Sequence, residues 1–216
     1  MLRLSLDAKA TVLIGNYSRR GQSRLIVKAA DHDFHPEDKL TPFGIYLPQY
    51  HELYLYFTPS KVTSDFIVDC LQHFWHSQKD RFPQVRTLLL NLDNGPQNHS
   101  RRTQFMQRIT DFVDEFLITV DLAYYPPYHS KYNPIERVWG VLEQHWNGSL
   151  LDSRQTVLKF AQTMTFRGHP PIVQLLEKIY RTGVWLTPKQ MARLEKRFAR
   201  LPALPKWFVR IVPLPE

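Results

Sequence analysis

The chain opens on a two-residue alternation. Leu2, Leu4 and Leu6 interleave with Arg3, Ser5 and Asp7, the period of a strand with one buried face. A second strand is expected over residues 25–29. The aromatic and β-branched stretches 44–47 and 53–57 predict a third, interrupted strand. Between 63 and 79, Phe66, Ile67, Cys70, Leu71 and Phe74 take helical spacing. Residues 85–92 run continuously apolar, as in a strand buried on both faces. Phe105, Ile109, Phe112, Val113 and Phe116 make one helical stripe across 101–116. Residues 117–123 return to strand, and 134–146 to a helix with Ile135, Val138, Trp139 and Leu142 inward. After Gly148 three more helices are predicted, over 154–166, 171–182 and 188–200. The last opens on Thr187-Pro188 with Gln190 three positions on, a capping signature. Residues 207–212 read as an extended tail between prolines.

Three strands, then alternating helices and strands, suit an antiparallel meander extended by parallel strands through crossover helices. That is the order of an RNase H-like fold, an α/β architecture with a mixed five-stranded sheet flanked by helices. The expected division is a sheet domain over 1–150 and a basic, helical C-terminal extension over 151–216.

Composition narrows the class. Of 216 residues, 43% are hydrophobic and 13% aromatic, enough for a packed core and too many for a disordered chain. One cysteine, Cys70, excludes an internal disulfide and a cysteine-based zinc finger. No segment approaches the roughly 18 apolar residues of a membrane span, and the first residues lack the apolar core of a signal peptide. The net charge of +8 is uneven: residues 154–216 carry 12 Lys+Arg against 3 Asp+Glu. A basic segment suits a polyanion, and a set of solubilising helices accounts for it nearly as well.

Three carboxylates stand at the ends of these elements. Asp7 closes the first strand, Asp93 follows the apolar run 85–92, and Glu136 sits in the first turn of the helix over 134–146. An RNase H-like fold carries acids at these three places. Carboxylates gathered there can hold hard divalent cations, and two metals can clamp the attacking and leaving oxygens of a phosphodiester. Each acid also has a plain local reading. Asn133-Pro134-Ile135-Glu136 spells a capping box, Asp93-Asn94-Gly95-Pro96 spells a turn, and Asp7 sits on a polar strand face. Asp31 and Asp33 are alternatives to Asp7, and Glu143 to Glu136. His32/His35 and His73/His76 are isolated pairs that read as packed or solvated. Arg101 and Arg102 open a helix against its macrodipole, which favours a phosphate-facing role. Arg19 and Arg20 read the same way, at even odds with a solvated turn. Lys131, Arg137, Tyr128 and His129 surround Glu136 in sequence and complete the candidate DNA contacts.

Two segments carry a resemblance. Leu92-Asp93-Asn94-Gly95-Pro96-Gln97-Asn98 with Arg101-Arg102-Thr103, and Tyr125-Pro126-Pro127-Tyr128-His129-Ser130-Lys131-Tyr132-Asn133-Pro134-Ile135-Glu136-Arg137-Val138-Trp139, resemble a DDE transposase. The likeness is to the bacterial insertion-sequence branch of the mariner-related superfamily, in the Rhodopirellula-type group. It implies Asp7, Asp93 and Glu136 as catalytic acids and metal ligands, two Mg²⁺ or Mn²⁺ ions, and DNA cleavage followed by strand transfer. It also implies element ends and target DNA as partners, a homo-oligomeric synaptic complex, no membrane, and a place in the bacterial cytoplasm at the nucleoid. Asp93 and Glu136 lie 43 positions apart, longer than is usual in mariner relatives, which implies an enlarged segment between them. With the first acid at position 7, no helix-turn-helix is expected ahead of it, so the chain reads as a catalytic part shortened at its N-terminus. The alternatives are an inactive remnant that binds DNA or oligomerises to regulate a transposase, and a nuclease or resolvase of another RNase H-like lineage. The Asn-Pro-Ile-Glu block argues against the last.

Overall fold

The computed structural model describes residues 1–17, 29, 38–126 and 129–214. The strand expected over 25–29 lies, but for Ala29, outside them. β1 (Leu2–Ala8) is followed by the short β2 (Val12–Ile14), by β3 (Asp38–Leu47) and by β4 (Glu52–Thr58). The stretch expected as one interrupted strand is therefore two. They form a hairpin whose turn is closed by His51 at φ 57°, with Tyr46 Oη 3.0 Å from His51 Nδ1. An αL residue reverses the chain where the apolar pattern breaks at 48–51.

The alternation of helices and strands then holds as read. α1 (Ser64–Gln78) starts at Thr63, whose hydroxyl accepts from the Phe66 amide. It leads to β5 (Thr87–Leu92), α2 (Thr103–Phe116), β6 (Thr119–Tyr124) and α3 (Glu136–His145). Leu117, at φ 51°, ends α2 with its amide on the Val113 carbonyl. β1 pairs antiparallel with β3 and parallel with β5, and β5 pairs parallel with β6. The central order β4-β3-β1-β5-β6 is the expected five-stranded RNase H-like sheet.

The C-terminal extension departs from the expected run of helices. α4 (Arg154–Thr163) forms, but residues expected as the helix over 171–182 include β7 (Ile172–Leu175), parallel to β4. α5 (Pro188–Glu195) carries the foreseen Thr187/Gln190 capping box and then stops. β8 (Phe198–Arg200) and β9 (Phe208–Ile211) follow, β9 antiparallel to β6. Among the described residues the sheet thus has nine strands, in the order β7-β4-β3-β1-β5-β6-β9-β8 with β2 on β3. The cause is the edges. β4 and β6 are buried strands, and left unpaired they would expose a row of amides and carbonyls. Ile172, Val173 and Leu175 suit a strand as well as a helix, and the open edge of β4 decides between them.

Two hydrophobic layers cover the sheet. Leu2, Leu4 and Leu6 join Leu88, Leu90 and Leu92 against α1 and α2, through Phe66, Phe74, Phe105 and Phe112. On the other face Leu53, Leu55 and Phe57 meet Ile135, Val138, Leu142 and Trp146 from α3, and Val157 and Ala161 from α4.

Four of the extension's twelve basic residues dock it. Arg154 pairs with Asp38, Lys178 with Asp69, Arg197 with Asp114 and Arg210 with Asp121. In the last pair both guanidinium bonds are 2.7 Å and Asp121 is buried. Arg210→Ala leaves that carboxylate without its partner. The expected loss is about 2 kcal/mol in denaturant unfolding, below the roughly 3–5 kcal/mol of a fully buried pair because half of the Arg210 side chain is exposed.

Candidate active site

Leu2, Leu4 and Leu6 turn inward, so Arg3, Ser5 and Asp7 line the opposite face of β1, on the side of α3. Opposite Asp7 in the sheet is Gly44 of β3. A Cβ there would lie 2.5 Å from Ile135 Cδ1 and 2.9 Å from the Trp139 ring. The bare backbone of Gly44 lets α3 settle directly on the strand. Trp139 Nε1 then donates to Asp7 Oδ2 at 2.7 Å.

The segment before α3 is held by a clasp to β1. Ser5 Oγ donates to Asn133 Oδ1 at 2.5 Å, Asn133 Nδ2 donates to the Leu6 carbonyl at 3.0 Å, and the Ile135 amide donates to Ser5 Oγ at 3.0 Å. Asn133 is therefore not the side-chain cap that its sequence spells. Ile135 is the residue before the helix, with no side-chain cap bond, and Glu136 is its first residue. The Asn133 side chain is committed to a strand 128 residues away. Sequence reading missed Ser5, Asn133, Trp139 and Gly44 as positioning residues. The only signal was the rigid Pro-Pro approach to Asn133, which capping alone does not require.

Asp93 follows β5 in a tight loop. Asn98 Nδ2 donates to its Oδ1 at 2.7 Å. A Cβ on Gly95 would come within 2.9 Å of Asp93 Oδ2, so the loop wraps the carboxylate closely. Asn98 is itself buried, and its Oδ1 has no hydrogen-bond partner.

These elements bring the three acids to one end of the sheet. Burial pushes the Asp7 carboxyl up to about 7, against the Trp139 hydrogen bond, and the charges of Glu136 and Asp93 push it further the same way. Asp7 thus feels both other acids. Among the described residues no three carboxylate, imidazole or thiolate groups converge closely enough to hold one ion. Glu143 faces a different set: it takes an ion pair from Lys9, and Trp146 Nε1 donates to it at 2.8 Å. Asp31 and Asp33 lie outside the described residues.

The remaining candidates spread around this end. Arg101 is exposed. Arg102 precedes α2, its guanidinium 3.9 Å from the centre of the Trp185 ring. Lys131, Arg137 and His129 are exposed near the start of α3, with His129 stacked on Tyr132 at 5.8 Å. Arg19, Arg20 and Tyr128 lie outside the described residues. His76 sits against Glu115 and Phe116, away from any ligand set.

The sheet order is that of an RNase H-like domain. The chain belongs to the Rhodopirellula transposase DDE domain family, whose model matches residues 2–213. No curated protein sequence matches it. Among solved structures it is similar to the Mos1 transposase paired-end complex with left transposon end, at 15% identity and TM-score 0.51. It is also similar to the Mos1 mariner paired end complex with Mn, at 12% identity and TM-score 0.52. Each likeness covers 73% of this chain and 46% of the Mos1 chain, so this chain matches about half the length of those proteins. No helix among the described residues is long and apolar enough to cross a membrane.

Ser5→Ala removes a donor and an acceptor together and strands the Ile135 amide. Denaturant unfolding should show a loss on the order of 1–3 kcal/mol. Asp7 generates a pH prediction. A carboxyl held at about 7 when folded, against roughly 3.9 unfolded, binds a proton that the unfolded chain has lost. Its contribution is therefore present at low pH and is lost as pH rises from about 4 to 7. In chelator, the wild-type melting temperature should fall across that window relative to Asp7→Asn, which should be the more stable protein above pH 7.

Proposed function

We propose that this domain is the catalytic part of a transposase, cutting DNA and joining the freed end to a target with two Mg²⁺ or Mn²⁺ ions held by Asp7, Asp93 and Glu136. One observation carries the reading: Asp7 is a part-buried strand-end carboxyl whose proton affinity is raised first by desolvation and then by the charges of Glu136 and Asp93 from two other elements. A part-buried carboxyl that feels two other acids is costly to ionise unless a cation joins it. Family membership over residues 2–213 supports the same reading.

The donor set fits such ions. All three ligands offer hard oxygen, and the unpartnered Asn98 Oδ1 beside Asp93 is a further oxygen for an ion or its water. Magnesium is commonly held by one or two carboxylates, with waters and substrate phosphate completing the shell. Asp7 with Asp93, and Asp7 with Glu136, would make two such pairs, and no triple cage is needed. Bound there, the ions lower the pKa of a water or hydroxyl and stabilise the leaving oxygen.

The chain's own residues do the rest. Asp7 would give up its proton to become a ligand, with Trp139 fixing Oδ2. Asn98 holds the Asp93 carboxylate in one rotamer. The clasp from Ser5 to Asn133 sets the first turn of α3, and with it Glu136, over the strand end. In cleavage, water adds to phosphorus and the P–O3′ bond breaks, leaving a 3′-hydroxyl and a 5′-phosphate. In joining, that hydroxyl attacks a target phosphate and displaces the target's own 3′-oxygen. Arg101, Lys131 and Arg137 would meet backbone phosphates, which position the DNA without reading it. Element ends, target DNA and a second copy of the chain in a synaptic complex would be its partners.

Supercoiled plasmid with Mn²⁺ tests the reading. Wild type should nick it weakly and with little sequence preference. Asp93→Asn should abolish nicking while leaving DNA affinity nearly unchanged, because it removes a ligand charge without changing shape. Glu136→Gln should abolish it as well, and Glu143→Gln should not. Equal nicking by wild type and Asp93→Asn would sink the proposal.

A further inference from the structure

A groove of about 690 Å³ opens beside the acids. It begins at Ala8 and Lys9, next to Asp7, and at Pro96 and Gln97, in the loop after Asp93. Lys9, Lys39, Lys61 and Arg102 line it, and no described lining residue is acidic. Lys39 and Lys61 are exposed and make no ion pair among the described residues, whereas Lys9 is held by Glu143. Trp185, 66% exposed, also lines the groove.

Trp185 is neither core nor loose. The neighbouring Leu186 amide donates to Thr103 Oγ1 at 3.0 Å, which ties its backbone to the start of α2. The Arg102 guanidinium packs 3.9 Å from its ring centre. The indole is thus oriented from behind and largely open in front. An oriented, exposed indole beside unpaired lysines is the chemistry that takes a nucleobase and its phosphates together. A base inside a duplex hides both faces, so this arrangement suits a strand whose bases are unpaired.

We propose that the groove holds an unpaired stretch of one DNA strand next to the acids, with Lys39 and Lys61 on its phosphates and Trp185, backed by Arg102, stacked on a base. The inference rests on the nuclease reading for its place beside the scissile phosphate. Binding itself needs neither metal nor cleavage.

The test is fluorescence anisotropy of the full chain in chelator, with labelled oligothymidylate as the single strand and a random duplex for comparison. Trp185→Ala should weaken single-strand binding by about 5- to 100-fold, the range of one base stack removed. Trp185→Phe should restore most of it, and neither should change duplex affinity or the melting temperature. Lys39→Ala with Lys61→Ala should reduce the salt slope by about 0.7 for each phosphate no longer neutralised. Unchanged single-strand affinity in Trp185→Ala, or equal losses for single strand and duplex, would overturn the proposal. The two readings separate cleanly. Wild-type nicking with no effect of Trp185→Ala removes the groove and keeps the nuclease. A Trp185 effect in a protein that never nicks keeps the groove and removes the nuclease.

Discussion

The clasp between Ser5 and Asn133 is the contact on which the candidate site depends. Asn133 meets strand β1 twice, through Ser5 Oγ and the Leu6 carbonyl, and Ser5 Oγ also receives the Ile135 amide. Every polar atom in it is buried, so each bond missing would leave an unsatisfied group in a dry place. That cost fixes the entry of α3 to within the tolerance of a hydrogen bond. Gly44 then removes the one side chain that would hold the helix away, and Trp139 can reach Asp7. A strand at the beginning of the chain and a helix 130 residues later are thereby locked into one geometry.

Charge follows a different rule on the two sides of the molecule. In the C-terminal extension, three arginines find acids of the sheet domain and dock it: Arg154 on Asp38, Arg197 on Asp114, Arg210 on Asp121. Beside the acids, Lys39 and Lys61 stay in water without an acidic partner among the described residues. Total charge would have pointed to the extension as the surface for a polyanion. With the paired cations set aside, the extension keeps free charge at residues such as Lys159, Arg181 and Lys196, and the groove adds Lys39 and Lys61 next to the acids, where the sequence is nearly neutral.

What was legible in the sequence was periodic. Leucine alternation gave β1, the apolar run gave β5 and the stripe of phenylalanines gave α2, and the chain order of Asp7, Asp93 and Glu136 made them the candidate acids. What was not legible was relational. Asn133-Pro134-Ile135-Glu136 reads as a capping box because its partner Ser5 leaves no mark near it. Residues 172–175 read as helix because Ile, Val and Leu fit either state, and only the open edge of β4 chooses the strand. The break at 48–51 could be read as an interruption or a reversal, and the αL conformation of His51 made it a reversal.

The same two edge strands have a consequence for how the protein is made. β1 is made before β5 and must wait some 85 residues before it has its parallel neighbour. The sheet closes on one side only when residues 172–175 arrive, and on the other only with 208–211. Until then a nascent chain carries buried-type strands with open edges, the form most prone to pair with another copy. Synthesis order therefore makes the finished sheet a late event, and a chain interrupted before residue 208 would lack one complete edge of the fold that holds its acids.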